Sequence, residues 1–233
     1  MKRRGMGFLR VFAAVLFVLG ATTIQAAELP RPGDYLEARF VDGLKRTRSP
    51  LKAFHASESP QGLTVSREDG IDRVLVNLNW HEGYDLLFRD GQFLRSDIEG
   101  EKVVLNTKTP SYWEFGTNRF SGRYVFVENV ERFVARHSLV GKYEDRRGRT
   151  YEFRDDGTAS FPERDFHYSI LLDFVFDQHD FVADTDAGID FSFRHEGGVL
   201  VLYPVLAPGE GPQRGQPDFA HPMARLRRLG YSK

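Results

Sequence analysis

From Gly62 onward, apolar and polar positions alternate with a period of two, the pattern of strands with one buried and one wet face. Leu63–Arg67 and Ile71–Asn79 flank Asp69-Gly70, and Tyr84–Arg89 and Gln92–Arg95 flank Asp90-Gly91. Val103–Thr107 follows Glu99-Gly100, and Arg119–Glu128 reads as a strand after Phe115-Gly-Thr-Asn118. Turn signals recur every 8–12 residues or so, as in all-β sandwiches and barrels, with no spacing for parallel crossovers. Two stretches have helical period. Tyr35–Arg46 puts Leu36, Phe40, Val41 and Leu44 on one stripe, with Asp34 as N-cap, Gly43 as a weak point and Ser49-Pro50 as the stop. Asn129–Leu139 could line Val130, Phe133, Val134 and His137 along a helix, or serve as a connector.

A second β-rich half begins at Val140. Gly141–Phe161 predicts three short strands joined by tight turns at Arg147-Gly148 and Asp156-Gly157. His167–Asp177 is a long apolar strand, and Ile189–His195 and Val199–Leu206 make a hairpin around Gly197-Gly198. Residues 207–218 are a Pro/Gly-rich loop, followed by a closing strand at Met223–Leu229. The halves share short matches: Gly33-Asp-Tyr35 with Gly141-Lys-Tyr143, and Phe88-Arg-Asp-Gly91 with Phe153-Arg-Asp-Asp-Gly157. Duplication is one reading of these short matches; the other is that Asp-Gly turns recur in any β protein.

Residues 1–26 change the picture of the N-terminus. Lys2, Arg3, Arg4 and Arg10 precede nine apolar residues, Val11–Leu19, and Ile24-Gln25-Ala26 suits cleavage. This predicts a secretory signal peptide, since a bilayer-spanning helix needs about 20 apolar residues. The expected division is therefore a signal peptide at 1–26, an N-terminal β domain with a lead-in helix at 27–135, and a C-terminal β domain at 136–233. Without the leader's four bases the chain carries 28 Lys+Arg against 33 Asp+Glu, a net −5. That balance disfavours phosphate backbones as partners. The chain has no cysteine, so an exported product must be held by its core, and the periplasm is the expected compartment. Twenty Phe, nine Tyr and two Trp suit half-buried sheet faces.

Gly141-Lys-Tyr143, Gly148, Tyr151-Glu-Phe153 and Asp156-Gly157 resemble the opening hairpins of lipocalin-like, calycin-type barrels, which begin with Gly, one residue and an aromatic. The resemblance covers Val140 to Leu229, with Tyr143 where Trp is usual. It implies a meander barrel with room for an apolar ligand and carries over no binding residues. The expected fold is mostly β: antiparallel meander sheets forming two small lipocalin-like barrels or half-barrels with a short N-terminal helix. One larger barrel is the alternative.

Candidate chemistry is sparse. Asp184-Thr-Asp186-Ala-Gly188-Ile-Asp190 resembles a calcium loop, because hard cations take several carboxylates on a turning backbone. Its Gly stands fifth rather than sixth and His195 occupies the twelfth place, so the other reading is a solvated loop between strands. Asp184, Asp186 and Asp190 are the candidate ligands, and calcium the one cofactor considered. Trp80-His81-Glu82-Gly83 could bring His81 and Glu82 together only in a turn; otherwise it is a loop over a buried Trp80. His167, His179 and His195 lie near adjacent strands and could converge on zinc. Arg225, Arg227 and Arg228 could bind an anion or guard a sheet edge against aggregation. No Gly-x-Ser-x-Gly, Ser-x-x-Lys or phosphate-loop motif occurs. The expected function is non-enzymatic binding of a small apolar ligand. The alternatives are contact with an envelope protein and a metal-assisted hydrolase built on Asp184, Asp186 and a nearby His.

Overall fold

The structure, a computed structural model, describes residues 31–57, 60–68, 70–80, 82–89, 92–95, 102–109, 112–116, 121–174, 178–206 and 215–230. The leader expected at 1–26 and the loop tip 207–214 lie outside the described residues. The chain runs β1 (Gly33–Glu37), α1 (Ala38–Thr47), α2 (Pro50–Ala56), β2 (Gly62–Glu68), β3 (Ile71–Asn77), β4 (Gly83–Arg89), β5 (Gln92–Arg95), β6 (Lys102–Thr109), β7 (Tyr112–Gly116) and β8 (Ser121–Glu128). Then follow α3 (Val130–Ser138), β9 (Gly141–Glu144), β10 (Thr150–Phe153), β11 (Thr158–Phe161), β12 (Arg164–Leu171), β13 (Phe181–Asp184), β14 (Ile189–Glu196), β15 (Val199–Pro204) and β16 (Ala224–Arg228).

Within each half, strands adjacent in sequence pair antiparallel. In addition β1 pairs with β8, and β16 with β9, so each half closes into an eight-stranded meander barrel. The fold is thus mostly β with two barrels, compatible with a lipocalin-like architecture, and not one larger barrel. Closure leaves β16 hydrogen-bonded on both sides. Arg225, Arg227 and Arg228 therefore guard no edge. Arg225 pairs with Glu196 at 2.9 Å, Arg227 with Glu144 at 3.6 Å, and Arg228 donates to the Val140 carbonyl at 2.7 Å.

The N-terminal segment departs from its helical pattern. Gly33–Glu37 is a strand because it pairs with both β2 and β8, and only Ala38 begins a helix. Glu37, not Asp34, caps that helix, accepting the Phe40 amide at 2.9 Å. Asp34 instead accepts from the Thr64 hydroxyl and from Val130 N at the start of α3. Ser49-Pro50 does not simply stop α1. Arg48 ends it in a left-handed conformation, and Ser49 caps a second helix with Pro50 in its first turn. Asn129–Leu139 resolves as a helix, with Asn129 capping through the Arg132 amide at 2.8 Å. This helix runs across the expected boundary at 135/136. The long strand expected at His167–Asp177 starts earlier and ends at Leu171.

The helices set the relation of the two halves. The α1–α2 hairpin is inserted between the paired strands β1 and β2 of the first barrel, yet it packs into the core of the second. Phe40, Val41, Leu44 and Ala53 share one apolar cluster with Val134, Leu139 and the second barrel's inward residues. The first barrel has its own cluster around Tyr35, Leu63, Val74, Val76, Tyr84, Leu86 and Tyr124. Among the described residues no helix is long and apolar enough to cross a membrane.

The Gly-x-Tyr segments occupy equivalent places. Tyr35 and Tyr143 are both buried on the first strand of their barrel, and each donates its hydroxyl to the carbonyl four residues earlier: Arg31 at 2.8 Å and Leu139 at 2.6 Å. Gly33 and Gly141 have φ of +132° and +153° and lie against Phe126 of β8 and Arg228 of β16. The Gly-x-Tyr match between the halves thus corresponds to one repeated structural device, whereas the Phe88–Gly91 match includes residues 90–91, which lie outside the described residues.

Candidate functional site

The acidic loop is a tied turn. Asp184 is fully buried at the end of β13. Its Oδ1 accepts the amides of Asp186 and Ala187 at 3.1 and 2.9 Å, and its Oδ2 meets the Arg164 guanidinium. Asp186 points the other way and accepts the His167 amide at 2.8 Å, with His167 Nδ1 3.1 Å from the same carboxylate. Those bonds hold the Asp186 carboxyl below the usual range. Asp190 sits on β14, opposite Ala183. The three carboxylates do not converge. Among the described residues no three His, Asp or Glu side chains gather closely enough to hold a metal ion.

The histidines also disperse. His167 faces Asp186, His179 stacks edge-on against Phe219 with centroids 5.0 Å apart, and His195 reaches α3. His81 lies outside the described residues. Glu82 closes a turn with Asn79, its amide donating to Asn79 Oδ1 at 2.7 Å. Trp80, inside that turn, is half-buried with φ +66°, and packs 6.5 Å from the Phe40 ring.

What the tertiary structure assembles is a polar seam where α1–α2 and α3 meet the second barrel. Asp180, just before β13, accepts the Ser49 hydroxyl at 2.5 Å and the Leu51 amide at 2.7 Å, so it caps α2 from a distant part of the chain. The Ser138 carbonyl at the end of α3 accepts from Arg48 Nη2 at 3.2 Å and His195 Nε2 at 2.7 Å. Arg48 also donates to the Tyr143 hydroxyl at 3.2 Å. With Arg228 on the Val140 carbonyl, donors satisfy the end of α3, where cations complement the helix dipole. The hydroxyls of Ser138 and Ser192 are buried without a partner, so neither is paired with a histidine as an activated nucleophile would be. In sequence, Ser49-Pro50 reads only as a helix stop and His195 only as one of three scattered histidines; no local motif joins either to Asp180 or Arg48.

Two further features complete the picture. A network of rings runs through the interior of the second barrel: Phe153 stands edge-on to Tyr143, Phe161 and Tyr168, and Phe161 to Tyr151 and Phe166. On its outside, Phe219 lies under the Arg194 guanidinium at 3.5 Å and against Tyr203, with exposed Leu206 and Met223 on neighbouring segments. No protein-family model matches the chain, and neither curated proteins nor solved structures give a match.

Proposed function

We propose that this is a non-enzymatic, exported β protein of lipocalin-like descent that works by surface contact with another envelope protein. The observation that carries the reading is the network of buried rings inside the second barrel. Eight strands enclose a space that either side chains or one small ligand can occupy, and here interlocking rings from Tyr143 to Phe191 occupy it. The meander order and the repeated Gly-x-Tyr device support the lipocalin-like descent. The leader-like residues 1–26 support export. The Phe219–Arg194–Tyr203 cluster with Leu206 and Met223 has the aromatic, Arg and Met content enriched at interfaces.

A photo-reactive amino acid placed at Met223 should give one discrete cross-linked product in cells, whereas the same group at Arg147, in the β9–β10 turn, should give none. Equal labelling at both positions sinks the contact reading. A second reading keeps the apolar ligand but moves it to the first barrel. There the buried phenols of Tyr84 and Tyr124 and the carboxylate of Glu37 lie among Leu63, Val65 and Val76. Native mass spectrometry with an apolar dye separates the two: a saturable one-to-one complex, lost in Tyr84→Ala, favours the ligand.

A further inference from the structure

The net −5 of the chain beyond its leader is unevenly spread. The three helices and their connections, residues 38–57 and 129–139, hold seven Lys and Arg against two acids, a net +5 that leaves −10 on the rest. The run Lys45-Arg-Thr-Arg48-Ser-Pro-Leu-Lys52 has four of those cations and no acid. Folding brings cations of different helices together. Lys45 of α1 and Arg136 of α3 flank His137, while Arg48 and Lys52 of α2 flank His195. Lys45, Arg46, Lys52 and Arg132 are exposed and make no ion pair with another described residue. On the barrel surfaces, by contrast, Arg67 pairs with Asp72, Arg73 with Glu68 and Arg225 with Glu196. Helix dipoles account for only part of the cluster. Lys45 and Arg46 lie in the last turn of α1, where a cation is favourable, and Arg48 serves the end of α3. Lys52 and Arg132 stand in the first turns of α2 and α3, where the dipole opposes them.

We propose that this helical layer is a docking surface for anionic lipid headgroups. Near such a surface each Lys or Arg strengthens binding about fivefold. The cations are spread over three helices on long, separate side chains, not gathered as a fork around one point. That spacing suits a fluid layer of phosphates better than a single acidic side chain, which calls for fixed bidentate geometry. Leu51 and Phe133, next in sequence to Lys52 and Arg132, are half-buried against the apolar cluster and give the layer the apolar flank that interfacial binding uses. The acidic remainder of the chain is repelled by the same lipids, which orients the helices toward them. This surface includes none of the Phe219 cluster, and the proposal does not rest on the protein contact placed there.

The test is co-sedimentation of the processed protein, from Ala27, with vesicles of phosphatidylglycerol and phosphatidylcholine in equal parts, and with phosphatidylcholine alone. Binding to the anionic vesicles at low salt, its loss at high salt and none to phosphatidylcholine are expected. Lys45→Gln/Arg46→Gln should weaken that binding about 25-fold. Arg146→Gln/Arg147→Gln makes the same charge change in the β9–β10 turn, beside Glu144 and Asp145, and should leave binding within about twofold. If the first variant does not fold, Lys52→Gln/Arg132→Gln decides, because the helix dipoles favour that change; it too should weaken binding about 25-fold. No binding to the anionic vesicles, equal binding to both vesicles, or equal losses from the helical and the turn variants overturns the proposal. Binding to soluble polyglutamate with none to the vesicles also overturns it, in favour of an acidic protein partner.

Discussion

Trp80 lies across Gly62. A Cβ built on Gly62 would stand 2.8 Å from the Cη2 of the indole ring and 3.1 Å from the Tyr35 carbonyl. The indole, carried on the β3–β4 turn of the first barrel, also packs against the helix-bound core that closes on the second. Gly62 is therefore the gap through which one barrel touches the core of the other. Gly62→Ala should push the ring out of that gap and destabilise the protein by about 1–3 kcal/mol, the usual cost of overpacking. Chemical denaturation followed by Trp fluorescence reads both the loss and the displaced ring. An unchanged midpoint with unchanged emission would mean that the ring does not lie there.

Tyr143 tests the end of α3. Tyr143→Phe removes the hydrogen bond donated to the Leu139 carbonyl and the one accepted from Arg48. The loss should be about 1–3 kcal/mol, since it leaves Arg48 short of an acceptor. Urea unfolding measures it, and an unchanged midpoint contradicts it.

Phe153 tests the buried ring network. Its ring is fully buried and touches Tyr143, Phe161 and Tyr168 edge-on. Phe153→Ala should lose about 3–5 kcal/mol and leave an apolar hole. The variant should then take up benzene or xenon, with a measurable stabilisation, where the unaltered protein does not. Uptake by the unaltered protein would show that the barrel holds a cavity already.

Chelation tests the acidic loop. Asp184 is engaged by Arg164 and two turn amides, and Asp186 by His167. Excess EDTA should therefore leave the thermal midpoint unchanged, and added calcium should not raise it. A calcium-dependent rise of several degrees would restore Asp184, Asp186 and Asp190 as ligands.

How far local pattern reaches is visible element by element. The hairpins at Asp69-Gly70 and Gly197-Gly198 are where the alternation places them, because strand period and turn chemistry are properties of neighbouring residues. Asn129 and Ser49-Pro50 carry capping chemistry in their own side chains, although Ser49-Pro50 reads as an end until a second helix is seen to follow it. Gly33–Glu37 misleads for the opposite reason. Leu36 falls on the same apolar stripe as Phe40 and Leu44, and all three do enter one core, but pairing with β2 and β8 outweighs helical period. Gly43 reads as a flaw in α1 and is instead where α2 comes closest: a Cβ there would lie 3.1 Å from the Ala53 Cα.

The sequence alone determined the β class, the hairpin positions and the expectation of a leader, since each rests on composition or on spacing within a dozen residues, while one barrel or two stayed open. Only the tertiary structure decided that both ladders close, that a helical insertion from one barrel seals the other, and that Asp180 meets Ser49 across 131 positions of chain. Those contacts join residues with no local relation. Their energy comes from burial and hydrogen bonding that exist only once the barrels have formed, so no neighbouring residue announces them.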